Sequence, residues 1–205
     1  MGVTTFPFPT KSNLVASIHS LELAKIGYEL MDRKRSILLR EMMSLMRKAE
    51  GIQEEIDVTF SKAYAQLQKA NYMTGQNEII DIVNSRNFND DVTIQFRSIM
   101  GVEIPEIKLD KEVPSLYYGF ARTNSALDEA YISFLKVKEL SAVMVAIENS
   151  VYKLAYAIKQ AQKRANALRN IIIPQLEETI AYITNYLEEK EREAFAVLKV
   201  TKKSK

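Results

Sequence analysis

The chain has 205 residues, of which 47% are hydrophobic and 26% charged, with a formal net charge of +2. This composition excludes wholesale disorder, and the near balance of charge excludes nucleic-acid binding driven by bulk charge. Cysteine is absent, which excludes disulfides and thiolate metal sites and fits a reducing compartment.

The opening residues Met1 to Phe6 lack the basic-then-apolar order of a secretory leader. Phe6 stands where N-myristoylation after Gly2 asks for Ser or Thr. No apolar run approaches the ~18–20 residues of a spanning helix. The apolar stretch from Leu140 to Ile147 is soon followed by Glu148 and Lys153. The expectation is a soluble chain with no membrane span.

Between Pro9 and Pro105 no proline interrupts the chain, and a long helix is predicted there, capped at its start by Thr10 or by Ser12. Apolar residues recur at Leu38, Met42, Leu45, Ala49, Ile52 and Ile56, in the alternating steps of four and three that mark a coiled coil. Phe60, Ala63, Leu67 and Ala70 continue the stripe after two successive four-residue steps, which predicts a stutter. Met31, Met42, Met43 and Met46 are read as helix packing.

The character changes between about Asn71 and Gly119. Asn77 to Asn84 reads as a short helix, and Asn87-Phe88-Asn89-Asp90 as a turn cluster. Val92 to Phe96 alternates like a strand, as do Val102 to Ile104 with Ile107 and Leu109. With Met100 and Gly101 as the candidate turn, the pattern predicts a β-hairpin in which Pro105 sits on an edge strand.

The second long helix carries Val137, Leu140, Met144, Ile147, Val151, Leu154, Ile158, Ala161, Ala165, Leu168 and Ile172 in strict alternation. The stripe then shifts to Leu176, Ile180 or Thr179, Ile183 and Leu187, with Pro174 at the slip. Pro174 cannot donate to the carbonyl of Asn170, so it is the candidate kink in a helix that bends without ending. Helices of roughly 60–80 residues would each run about 90–120 Å, and neither could leave its apolar stripe unpaired. The fold class is therefore mainly α: a long antiparallel two-helix coiled coil with a small middle region holding a short helix and a β-hairpin. The domains are 1–71, the first coiled-coil helix; 72–119, the middle region; and 120–205, the second coiled-coil helix with a basic tail.

Catalytic chemistry finds little support. His19 is the only histidine, and no glycine-rich phosphate loop exists. The Glu54-Glu55-Asp57 and Glu188-Glu189-Glu191-Glu193 runs read as solvated helix faces. No cofactor, metal or catalytic residue is expected. From Asn149 to Leu176 there is no acidic residue, yet Lys153, Lys159, Lys163, Arg164 and Arg169 are present. These cations either pair across the coiled coil with Glu41, Glu50, Glu54 and Glu55, or face an acidic partner. The first option assumes aligned helix ends, which makes facing residue numbers add to about 209 in an antiparallel heptad pair. The candidate head-contact or interhelical charges are Arg33, Lys34, Arg35, Lys163, Arg164, Arg169 and Arg192. The tail from Lys199 to Lys205 could serve a membrane surface or nucleic acid, but reads better as a frayed, solvated end.

The run Arg164 to Leu168, then Ile173-Pro174-Gln175-Leu176-Glu177-Glu178-Thr179-Ile180, then Leu187-Glu188-Glu189, Glu191-Arg192-Glu193 and Leu198-Lys199 resembles the D subunit of the V-type (vacuolar and archaeal or bacterial A/V-type) ATPases. Pro9-Thr10, Leu14, Leu21, Ala24, Gly27, Leu30 and Lys34-Arg35 resemble that family's opening helix, and Ile99 to Val102 with Pro105 its hairpin. The resemblance covers nearly the whole chain. It implies a non-catalytic central-stalk rotor, cytoplasmic and peripheral to the membrane. The implied partners are the catalytic and non-catalytic A and B subunits of the head, the F subunit of the stalk, and the subunit that links the stalk to the membrane ring. Neither nucleic acid nor a direct membrane span is implied. A non-rotary coiled-coil scaffold or tether is the alternative.

Overall fold

The computed structural model describes residues 7–84, 92–109, 118–119 and 123–203. In chain order the elements are α1 (Lys11–Thr74), α2 (Gln76–Asn84), β1 (Val92–Ile99), β2 (Val102–Leu109), α3 (Ser125–Ala167), a π-helical turn (Leu168–Ile172) and α4 (Ile173–Lys203). The chain falls into two compact units, Met1–Ile37 with Ile158–Lys205, and Leu38–Ala157. In each, two antiparallel helices share an apolar seam, and the second also holds the short helix and the hairpin. The turn cluster expected at residues 87–90 lies outside the described residues.

In the second unit, Leu38, Leu45, Ile56, Ala63 and Ala70 are buried on α1, with Met42, Ala49 and Ile52 half-buried between them. Thr59 is buried as well, and Gln66 is half-buried. Counting these two polar residues, the seam steps by four and three from Leu38 to Ala70 without a slip. The stripe can therefore be followed without the predicted stutter, although Phe60 and Leu67, the residues that suggested it, are half-buried beside Thr59 and Gln66. Thr59 tolerates burial by donating its hydroxyl to the Glu55 carbonyl at 2.6 Å. Gln66 does less well, since its amide oxygen is buried with no hydrogen-bond partner. On α3 the facing seam buries Val137, Ile147 and Leu154, the last completely.

Glu55 meets Lys136 at 2.7 Å, so facing numbers here add to 191, not 209. The expected pairing of Glu41 and Glu55 with the basic run is corrected accordingly. Glu41 binds Arg97 on the hairpin at 2.8 Å, and Lys153 lies over the Phe96 ring, 5.3 Å from its centroid. A heptad pattern selects which faces meet but is indifferent to sliding by whole heptads.

Gly75 (φ 97) ends α1 in the left-handed region and donates to the Asn71 carbonyl at 3.1 Å before α2 begins. Ala70, Ile79, Ala126 and Leu127 form a cluster there, with Leu67, Ile82 and Tyr118 packed against it. The Tyr118 hydroxyl donates to Asp128 at 2.5 Å. Burial, followed by this hydrogen bond and the Asp128 charge, raises the Tyr118 pKa well above the ordinary phenol value.

β1 and β2 pair antiparallel from Val92 opposite Leu109 to Ile99 opposite Val102. They turn through Met100 (φ 50) and Gly101 (φ 78), the left-handed pair that suits the twist of a two-residue hairpin. Ile104 is buried, whereas Ile94 and Phe96 stay exposed. The hairpin touches both helices of its unit, through Arg97 to Glu41 on α1 and through Phe96 beneath Lys153 on α3, and the Pro105 carbonyl lies 3.3 Å from the Ser150 hydroxyl, which donates to the Ala146 carbonyl at 2.7 Å.

In the first unit, Thr10 caps α1, its hydroxyl accepting from the Asn13 amide at 3.2 Å. Ser12, the competing cap, lies inside the helix. Leu14, Ser17, Leu21, Ala24, Tyr28, Met31 and Arg35 form the seam, all buried or half-buried at steps of three and four. Opposite them lie Ala161, Ala165 and Leu168, then Ile173, Leu176, Ile180 and Ile183. The tail expected to be frayed is helical as far as Lys203.

Candidate functional site

The phase slip predicted near Pro174 has a definite structure. Residues Leu168–Ile172 form a π-turn, closed by the Ile173 amide donating to the Leu168 carbonyl five residues back. The seam consequently jumps from Leu168 to Ile173, a five-residue step that absorbs one extra residue. Ile172, expected in the seam, is 40% exposed, and Ile171 is 56% exposed. Pro174 itself sits in the first turn of α4, where its lack of an N–H is tolerated because the ladder has already been re-spaced. Across from the turn, a methyl group placed on Gly27 would lie 3.7 Å from the Leu168 side chain, so α1 runs close by at this level.

Two ion pairs give the register of this unit. Lys11 meets Glu191 and Lys25 meets Glu177, each at 3.1 Å. Both pairs add to 202, and the Gly27–Leu168 approach adds to 195. By the nearer of these registers, residues 33–35 lie level with about 160–162, and Arg169 lies level with Ile26. This brings together cations that are far apart in sequence: Arg33, Lys34 and Arg35 on α1, with Lys163 and Arg164 close to their level and Arg169 about two turns further along. Local acids take up little of this charge. Arg33 pairs with Glu29 at 3.6 Å, and Arg35 with Asp32 at 3.0 Å, both within α1. Arg35 occupies a seam position, and its Nε is buried with no hydrogen-bond partner. Lys163, Arg164 and Arg169 are exposed and make no ion pair among the described residues. Arg192 lies apart from the group, on α4, 3.5 Å from Glu188.

Next to this cationic level, both helices turn apolar side chains outward. Ile26 and Leu30 on α1 are about half exposed, and Ile171 and Ile172 on the π-turn are exposed as well. Val15, Ile18 and Leu23 continue the exposed apolar surface along α1. These residues fall outside the three-four phase of the seam, which was the available sequence signal for an outward role. His19 is exposed on α1. Among the described residues no group of three or more His, Cys, Asp or Glu side chains gathers as a metal site. No helix among them is long and apolar enough to cross a membrane.

Residues 13–203 match the family of ATP synthase D subunits. The chain is 44% identical over 191 residues to the D subunit of a V-type ATP synthase from Thermotoga neapolitana, covering 93% of this chain and 94% of that protein. It is 33% identical over 199 residues to the D subunit of an A-type ATP synthase from Methanosphaera stadtmanae, covering 96% and 93%. A V-type ATP synthase D subunit of Treponema pallidum, the one numbered 2, is 32% identical over 197 residues, covering 96% and 94%. With the helical pair, the hairpin and near full-length similarity in agreement, the chain belongs to the family of ATP synthase D subunits.

Proposed function

We propose that this chain is the central rotor shaft of a V-type rotary ATPase. In this reading it is a non-catalytic subunit that carries torque between ATP hydrolysis or synthesis in the head and ion translocation in the membrane rotor. The observation that carries the reading is the outward apolar surface of the first unit. Its seam is already filled by the opposing helix, yet Val15, Ile18, Leu23, Ile26 and Leu30 point away from it, as expected of helices enclosed by another protein. The enclosing partners are the catalytic and non-catalytic A and B subunits of the head. The middle region, 72–119, faces the membrane rotor, where the F subunit of the stalk and the linking subunit bind. Tyr72, Ile80, Val83, Ile94 and Phe96 there are exposed. The complex is peripheral to the cytoplasmic face of the membrane.

Two helices sharing a dry seam resist twisting better than one. An asymmetric shaft contacts each surrounding catalytic interface differently and so favours a different open or closed state at each. Nucleotide turnover passes those states around the ring and turns the shaft, and ion flow drives it in reverse. The π-turn ahead of Pro174 is a source of that asymmetry. The test is reconstitution of the A and B subunits with and without this chain, recording ATPase activity and the motion of a bead fixed to it. Rotation coupled to hydrolysis is expected. Steady hydrolysis around a stationary chain sinks the proposal.

A further inference from the structure

We infer that the π-turn of the first unit is a two-position joint in which Ile172 and Ile173 exchange a single seam site, the wide turn moving past Pro174 while the interface with α1 stays closed. The joint is a property of the helix pair and holds whether or not the chain is a shaft. Spacing is its first support. The seam passes from Leu168 to Ile180 through Ile173 and Leu176, in steps of five, three and four. A path through Ile172 and Leu176 covers the same twelve residues in steps of four. Leu168 and Ile180 therefore keep their places whichever isoleucine points inward, and only the position of the extra residue changes. The stretch between them is re-aimed, a local twist that the seam on either side does not feel.

Four local features keep the exchange low in energy. Asn170 is followed by three consecutive isoleucines, Ile171, Ile172 and Ile173, so the seam site receives the same side chain in either placement and loses no apolar burial. None of the five residues of the turn is fully buried, so no tightly packed side chain has to be displaced. Across from the turn, a methyl group added to Gly27 would meet only the Leu168 side chain, at 3.7 Å. With no side chain of its own, α1 sets no knob there to fix which residue of the turn faces it. Pro174 is the fourth feature. Its nitrogen would bond to Asn170 in an α-helix and to Arg169 in a wide turn, and it does neither because it carries no N–H. The extra residue therefore passes from before the proline to after it without breaking a bond at that position. In the structure it lies before, closed by the Ile173 amide on the Leu168 carbonyl. In the other placement the Ile173 amide falls back on Arg169, and the wide turn opens beyond Pro174.

The experiment is a set of thermal melts of the full chain followed by helical circular dichroism. Every chain carries Ile171→Gln, which takes the third isoleucine out of contention at a position 56% exposed; this is the reference. Ile172→Gln and Ile173→Gln, added singly, each leave one isoleucine for the seam site and should melt within about 2 °C of the reference. The double variant leaves none and should melt about 4 °C or more below what the two single shifts add up to. Deletion of Ile172 approaches the same site differently. It leaves Leu168, Ile173, Leu176 and Ile180 in steps of four, three and four, so the turn closes to an α-helix and the joint is gone. That chain should melt at or above the reference, and Ile173→Gln within it should lose as much as the double variant does. Deletion of Ala181, exposed in the regular part of α4, throws Ile183 and Leu187 out of phase and should melt well below the reference. Amide hydrogen exchange across residues 168–176 reads the motion itself, faster than the flanking turns in the reference and level with them after Ile172 is removed. A fixed turn gives other results, each of which overturns the inference. Ile173→Gln alone then falls as far as the double variant, or the shifts add or vanish. Removal of Ile172 then melts as low as removal of Ala181, or exchange is level with the flanks in both chains.

Discussion

Gln66 occupies a seam position of the second unit with its amide oxygen buried and unpaired, and replacing it with leucine should stabilise the protein. An unsatisfied buried polar group costs about 1–3 kcal/mol. The side chain is half-buried, so leucine gains about half of the ~1.5–3 kcal/mol expected for full burial, or ~1 kcal/mol. Together these give a gain of about 2–4 kcal/mol. With a urea dependence of a few kcal/mol per molar, the unfolding midpoint should rise by about 1–2 M. Gln68, two residues along and exposed, provides the matched control, and Gln68→Leu should stay within about 0.5 kcal/mol. The assay is urea unfolding of the three chains followed by helical circular dichroism. Equal responses at the two positions, or a loss at Gln66, would refute the seam phase and restore the stutter that a purely apolar count implies.

Leu154→Ala, at a side chain with no exposure, should cost about 2–5 kcal/mol in the same assay. Gly27→Ala should raise the melting temperature by about 2–4 °C, because the added methyl group meets Leu168 at ordinary contact distance, 3.7 Å, while the helix loses a flexible residue. Tyr118→Phe should change how stability depends on alkaline pH. With its folded pKa raised by burial and the Asp128 hydrogen bond, the phenol contributes stability below the ordinary value of about 10 and loses it progressively as pH climbs above that. Urea midpoints of the variant should therefore fall less steeply above pH 10 than those of the parent. Pro174→Ala should fold with unchanged helicity yet weaken the coupling of hydrolysis to rotation, and unchanged coupling in the reconstituted head would count against a role for the turn before it.

Periodicity made the fold class legible, because a dry stripe between two helices demands apolar side chains every three and four residues whatever else happens. The stripe from Val137 to Leu168 is buried or half-buried at every predicted position. Two kinds of information were hidden. Thr59 and Gln66 belong to the seam but are polar, so a reading of apolar residues passed over them and found a slip. Register was hidden for a different reason: sliding one helix by a heptad keeps every stripe residue on the stripe and changes only which exposed charges meet. Such charges are worth about 0–1 kcal/mol per pair, too little to announce a register from sequence. The cations Arg33 to Arg35 and Lys163 to Arg169 could be named one by one, but which of them lie near each other across the pair depended on that register. At Ile172 the sequence showed a lost phase and a nearby proline, which pointed to a kink. The remedy the backbone takes, one extra residue in a wider turn, depends on hydrogen-bond spacing that side-chain patterns do not encode.

The same indifference of heptads to sliding gives the hairpin mechanical importance. The hairpin grips α1 through Arg97 and Glu41, and α3 through Lys153 over the Phe96 ring. A one-heptad slip of either helix moves its attachment by about 10 Å, beyond the reach of either contact. The hairpin therefore acts as a clasp within the second unit. It removes axial play between two helices whose greasy interface would otherwise accept several alignments, so a push applied to one is felt by the other without backlash.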